Sequence, residues 1–152
     1  MIVFCLMLIL LLTEQWIKRR ILRETSLPRY LGRGYLLLRQ YNNYGLPFSR
    51  LRQHPGAVKI IVTLIMIGAL AYTMPWIVRG GISPLAQVAL GLIFGGGLSN
   101  LLDRYSRGYV IDYFSFPRVP WAWFRRLVFN LADICIFLGI LLLLIYIILN
   151  QI

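Results

Sequence analysis

Residues 127–152 read LVFNLADICIFLGILLLLIYIILNQI, and Asp133 is the single charged side chain in that run. About 20 mainly apolar residues are enough for a helix to cross the ~30 Å hydrocarbon layer of a bilayer. Three further runs lie N-terminal to it. Residues 80–102 hold no charge, and residues 57–78 hold only Lys59, near enough to the edge to snorkel. Residues 1–17 contain Glu14 and end at Lys18-Arg19-Arg20. That first run reaches only about 25 Å as a helix. It lacks the basic start and small-residue cleavage site of a removable leader. No strand-like alternation suggests a β-barrel, so the spans are read as helices. The expectation is an all-α membrane protein with four transmembrane helices, over residues 1–17, 57–78, 80–102 and 127–150. These form one integral membrane domain covering residues 1–152.

Composition supports this. Of 152 residues, 59% are hydrophobic and 14% charged, with a mean hydropathy of +0.73. A soluble domain is nearer about 45–50% apolar and 25% charged, and a short chain cannot hide such an excess from water. Disordered chains, secreted disulfide scaffolds and free nucleic-acid-binding domains are excluded. The 16 Lys+Arg against 5 Asp+Glu give a net charge of +11. Beside membrane spans such charge points to anionic lipid head groups rather than nucleic acid. Cys5 and Cys135 lie inside apolar runs and read as small packing residues. A lone His54 and the absence of Cys-x-x-Cys spacing give no metal site.

The long first loop, residues 18–56, has a strand-like middle from Tyr35 to Tyr41, followed by a turn at Asn42-Asn43-Tyr44-Gly45. A small sheet on the membrane is expected there, then an amphipathic piece around Ser49 to Gln53. Arg79 to Pro84 forms a tight connection, and Arg104 to Arg126 is rich in interface-seeking aromatics.

Three of the five acids, Asp103, Asp112 and Asp133, fall in or beside the last two spans. A carboxylate near hydrocarbon costs about 2.5–3.5 kcal/mol on insertion scales, so each is a functional candidate. Asp103 precedes Arg104 directly and reads first as an ion pair at a helix end. Asp112 and Asp133 have no basic neighbour in sequence. Each fits either an interhelical hydrogen bond or one half of a carboxylate pair. Two carboxylates held together share one proton at neutral pH. Such a pair can activate water without metal or nucleophilic side chain. Ser49, Ser99 and His54 have no evident partners for nucleophilic catalysis.

Five segments together resemble the lipoprotein signal peptidase (signal peptidase II) family. Glu14-Gln15-Trp16-Ile17-Lys18 is similar to the family's D-Q-x-x-K, and Asn43-Tyr44-Gly45-Leu46-Pro47-Phe48-Ser49 to N-x-G-A-A-[FW]-[SG]. Gly97-Leu98-Ser99-Asn100-Leu101-Leu102-Asp103-Arg104 resembles A-L-G-N-x-x-D-R. Gly108-Tyr109-Val110-Ile111-Asp112-Tyr113 resembles G-x-V-V-D-F, and Phe129-Asn130-Leu131-Ala132-Asp133 resembles F-N-x-A-D. The resemblance implies a membrane aspartic endopeptidase acting on lipid-modified prolipoproteins, cutting N-terminal to the lipidated cysteine. It implies Asp112 and Asp133 as the catalytic dyad, with Asn43 orienting the scissile carbonyl. Asn100 and Asn130 would hold the dyad's oxygens, Arg104 with Asp103 would brace the loop, and Gly45 would shape the turn. Glu14 and Lys18 are carried over as structural residues. No cofactor and no metal are implied. The sheet of the first loop would be extracytoplasmic, with the site at the outer face of the bacterial inner membrane. Substrate, anionic lipid and no nucleic acid are the expected partners, and the chain is read as a monomer.

Glu14 stands where the family has Asp, Leu46-Pro47 where it has Ala-Ala, and Ser99 where Gly is usual. Proline removes a backbone donor beside the substrate, which touches substrate choice before chemistry. Charge distribution points the other way on orientation. Nine basic residues (Lys18, Arg19, Arg20, Arg23, Arg29, Arg33, Arg39, Arg50, Arg52) lie in the first loop and five (Arg104, Arg107, Arg118, Arg125, Arg126) in the third connection. The opposite side holds only Arg79. Basic loops usually stay in the cytoplasm, which would put both termini outside, whereas the resemblance implies termini inside. The competing function is a non-catalytic membrane protein of the same fold that binds a lipid or partner helix. A transporter is disfavoured because spans two and three lack charge apart from Lys59.

Overall fold

The computed structural model describes residues 1–45 and 53–150. Its elements in order are α1 (Ile2–Arg23), β1 (Arg29–Leu31), a single 3₁₀ turn (Gly32–Gly34), β2 (Leu36–Asn43), α2 (Pro55–Val78), α3 (Pro84–Ser106), β3 (Val110–Ser115), α4 (Ala122–Arg125) and α5 (Leu131–Leu149). Leu46, Pro47 and residues 49–52 of the expected amphipathic piece lie outside the described residues.

Helix ends follow local chemistry more closely than the edges of the apolar runs. Helix α3 begins at Pro84 rather than Gly80, because the Ser83 side chain accepts the Ala86 N–H and Pro84 fills the first helical position. Helix α5 begins at Leu131 because Asn130 and Asp133 form a reciprocal capping box. Helices α1 and α3 continue past Ile17 and Leu102 to Arg23 and Ser106. Of the charged residues in those extensions, Lys18 and Asp103 are paired with each other inside the fold.

Among the described residues, α2, α3 and α5 are long and apolar enough to cross a membrane. Helix α1 is of similar length, but Glu14, Lys18, Arg19 and Arg20 interrupt its second half. Helix α3 is central, with α1 and α5 packed on it and α2 more lightly attached. Val3, Met66, Leu90 and Phe94 form the apolar centre.

Close approach at α3 is made possible by glycine. A Cβ on Gly91 would meet Leu6, and one on Gly96 would lie 2.6 Å from the Ala132 carbonyl oxygen and 2.9 Å from Ile136 Cγ1. Backbone cannot yield there as a flexible side chain can. Gly96→Ala is therefore expected to cost about 1–3 kcal/mol, read as a lowered Tm in detergent. Gly68→Ala, with open space around it, should be close to neutral. Equal effects at the two sites would refute tight α3–α5 packing.

The sheet has order β1-β2-β3 and is antiparallel throughout. Only two of its strands come from the first loop. The third, β3, comes from the α3–α5 connection and pairs Asp112 with Tyr41 and Val110 with Asn43. Nearly every residue of β3 is buried, so its sequence has no alternation to mark it as a strand. Asn42 and Asn43, expected in a turn, complete β2 instead.

Candidate active site

Strand β3 carries Asp112 and the first turn of α5 carries Asp133. The two face one cavity of about 450 Å³, which Asn43, Gly45, Asn100 and Arg104 also line. Ile136, Phe137 and Ile140 extend its wall along α5. Residues 43 to 133 are thus gathered from two strands and two helices, and all four carboxylate oxygens have a donor. Asn130 Nδ2 donates to Asp112 Oδ1 at 2.7 Å, and Asn43 Nδ2 to Asp112 Oδ2 at 3.0 Å. Asn100 Nδ2 donates to Asp133 Oδ1 at 2.9 Å, and the Asn130 backbone N–H to Asp133 Oδ2 at 3.1 Å. Asn130 therefore touches both acids. Asn43 also accepts the Gly45 N–H at 3.1 Å, so its amide is engaged with Asp112 and with its own turn.

Asp112 is 2% exposed. Burial first, and the Asp133 carboxylate second, push its pKa up to about 7, against the pull of the Asn43 and Asn130 hydrogen bonds. Near neutral pH this acid is poised between its two states.

Beneath the pair lies a second polar cluster built around Lys18, which is 0% exposed. Its ammonium group lies 2.8 Å from Asp103 Oδ2, 2.9 Å from Asn100 Oδ1 and 3.5 Å from Glu14 Oε1. Three acceptors surround a group with three protons. Asn100 consequently links the lysine to Asp133. Asp103 also binds Arg107, Gln15 Nε2 and the backbone N–H of Ile111 next to Asp112.

The expected Asp103–Arg104 pair does not form. Arg104 instead donates to the carbonyl oxygens of Asn100 and Gly45, both at 3.2 Å. Successive helical residues point about 100° apart, so neighbours in sequence do not face each other. Arg104 thereby braces the turn after β2, while Asp103 turns inward to α1.

Sequence reasoning gave no role to Gln15, Arg107 or Tyr113. Gln15 contacts Ser99 and Asp103, and Arg107 joins Asp103. Tyr113 bonds Glu14 and the Leu131 backbone. The i, i+4 spacing of Asp103 and Arg107 was a readable signal for one of these contacts. Nothing local marked the others.

A family model described as signal peptidase (SPase) II matches residues 6–149. The chain belongs to the signal peptidase II family. A lipoprotein signal peptidase of Syntrophomonas wolfei is 35% identical over 139 residues, covering 91% of this chain and 85% of its own. One of Caulobacter vibrioides is 34% identical, covering 88% of this chain and 76% of its own. The match to the Methylorubrum extorquens protein, at 36% identity, spans 64% of this chain and 55% of that relative. Two solved bacterial membrane enzymes share the fold. One has a TM-score of 0.82 at 23% identity over 98% of this chain and 88% of that one. The other has a TM-score of 0.77 at 20% identity, over 95% and 91%. Within this family, the chain is a mostly helical, multi-pass membrane protein with a small three-stranded sheet.

Proposed function

We propose that this signal peptidase II relative is an aspartic endopeptidase that removes signal peptides from diacylglyceryl-modified prolipoproteins, cutting N-terminal to the lipidated cysteine. The observation that carries the reading is the carboxylate pair: Asp112 and Asp133 line one cavity, and each is oriented by a separate asparagine amide. With one proton shared between them, the ionised acid takes a proton from water as the water oxygen attacks the scissile carbonyl carbon. The protonated acid gives its proton to the carbonyl oxygen. Collapse of the tetrahedral adduct breaks the C–N bond, and a proton passes to the departing nitrogen. The raised pKa of Asp112 suits it to hold the shared proton, though the pair titrates as a unit. Asn43 and Asn130 keep Asp112 in place, Asn100 keeps Asp133, and Arg104 fixes the Gly45 turn above them.

The same reading makes residues 1–152 one integral domain and α1 a fourth span. Lys18 is buried against α3 and Glu14 against Tyr113 of β3, so the outer face of α1 is formed by Phe4, Leu8, Ile9 and Leu12. Both termini would lie in the cytoplasm of a bacterium whose inner membrane holds the protein, with the sheet and dyad outside. Exposed Arg19, Arg20, Arg23, Arg29 and Arg118 near that end suit anionic lipid.

The direct test is incubation of purified protein with diacylglyceryl-modified and unmodified precursor, followed by mass. Loss of the signal peptide from the modified precursor is expected. The lipid anchor places the bond at the membrane edge and raises its effective concentration at the dyad, so the unmodified one should be cut far more slowly. No release from either would sink the reading. Orientation is tested by replacing Cys5 and Cys135 and introducing cysteine at exposed Ser26 or Gly81. External reagent should label position 26 and spare position 81; the reverse pattern would place the dyad on the cytoplasmic side.

A further inference from the structure

Tyr113 is 6% exposed and does not line the cavity. On a strand, adjacent side chains point to opposite faces. While Asp112 turns toward Asn43 and Asn130, Tyr113 turns toward α1. There its hydroxyl donates to Glu14 Oε2 at 3.0 Å and accepts the Leu131 backbone N–H at 2.9 Å.

Leu131 opens α5, so its N–H is one of the first-turn donors that have no partner within the helix. Asn130 takes the N–H of Asp133 in that turn, and Tyr113 takes that of Leu131. One hydroxyl therefore joins the strand of Asp112 to the turn of Asp133 and anchors both to α1. Glu14 is itself held at 3.5 Å from Lys18, whose second contact, Asn100, binds Asp133. Both residues of the bridge stand where the chain departs from the pattern it resembles, Glu for Asp and Tyr for Phe. The longer acid and the added hydroxyl meet each other.

We propose that the Glu14–Tyr113–Leu131 bridge is a positioning device that holds the Asp112 strand and the first turn of α5 in register, setting the geometry of the carboxylate pair without touching substrate. This rests on the peptidase reading. Tyr113→Phe removes the hydroxyl from both contacts. Glu14→Asp draws the carboxylate back by one methylene while leaving a charge for Lys18, and removes no atom from β3 or α5. It is thus a second route to the same break.

The experiment measures kcat and KM on diacylglyceryl-modified precursor for the wild type, both single variants and the double variant. Rates are referred to folded protein counted by size-exclusion chromatography in detergent. Each single variant should lower kcat by about 10- to 100-fold, the scale of a small misplacement of reacting groups, with KM within about twofold. The double variant should be no slower than the slower single, because one linkage can be broken only once. Multiplied losses, a change confined to KM, or folded single variants with wild-type kcat would overturn the bridge while leaving the peptidase reading intact. Absence of cleavage by the wild type would overturn both.

Discussion

Asp112→Asn and Asp133→Asn are each expected to lower signal-peptide release by roughly 10³–10⁴-fold or more while leaving the protein folded. Proton transfer by a positioned group contributes on that order, and groups that act as one unit lose most of their effect with either member. Asparagine keeps the shape of each side chain and one oxygen acceptor. At Asp112 one of its two donors (Asn43 or Asn130), and at Asp133 one of its two (Asn100 or the Asn130 backbone), then keeps an acceptor, while the other donor faces the new NH₂ group. Release is read by mass on the lipid-modified precursor, and the double variant should be little slower than either single. Near-normal turnover in one of them would exclude the shared-proton mechanism. The wild type should also lose activity as pH rises through about 7. Burial and the Asp133 carboxylate raise Asp112 to that value, so the shared proton is present below it and lost above it. The alkaline limb should fall by about tenfold per pH unit. An unchanged rate from pH 7 to 9 would contradict this assignment.

Lys18→Met is expected to be the most destabilising single change outside the dyad. Lys18 and Asp103 are both 0% exposed and 2.8 Å apart, with Glu14 close by. Removing the cation leaves the Glu14 carboxylate with no ion-pair partner and Asp103 with Arg107 as its remaining cation, and breaking a buried pair from one side costs about 3–5 kcal/mol. Arg19→Met, one residue along and exposed, should stay within about 0.5 kcal/mol. Thermal unfolding in detergent compares the two. Equal shifts in Tm would mean that Lys18 does not anchor α1 to α3. Activity should fall with stability in Lys18→Met, since the Asn100 oxygen loses one of its two donors and keeps only Asn130 Nδ2.

How much was legible in the sequence differs by residue. Asp133 and Asn130 stand three apart before an apolar run, a spacing that encodes their capping box. Asp112 was recognisable as a costly acid, but not as a strand residue, because β3 is buried on almost every side and shows no period. Lys18 stood in a basic run beside Arg19 and Arg20, and only the motif resemblance marked it as structural, without naming its partners. In the fold it is the most buried cation among the described residues. Tyr113 read as one more aromatic of the connecting loop, yet its hydroxyl binds α1 and α5 together.

By itself the sequence determined the solvent and the helices. The free energy of moving an apolar side chain into lipid is a local property, and it accumulates along each run irrespective of partners. Where the charged and polar groups went was decided only by tertiary structure. A buried charge is tolerable according to what faces it, and the partners here come from far along the chain: Asp103 for Lys18, Asn43 for Asp112, Asn100 for Asp133. Local pattern carries no record of such pairings, because the groups meet only when α1, β2 and α5 close around α3 and β3.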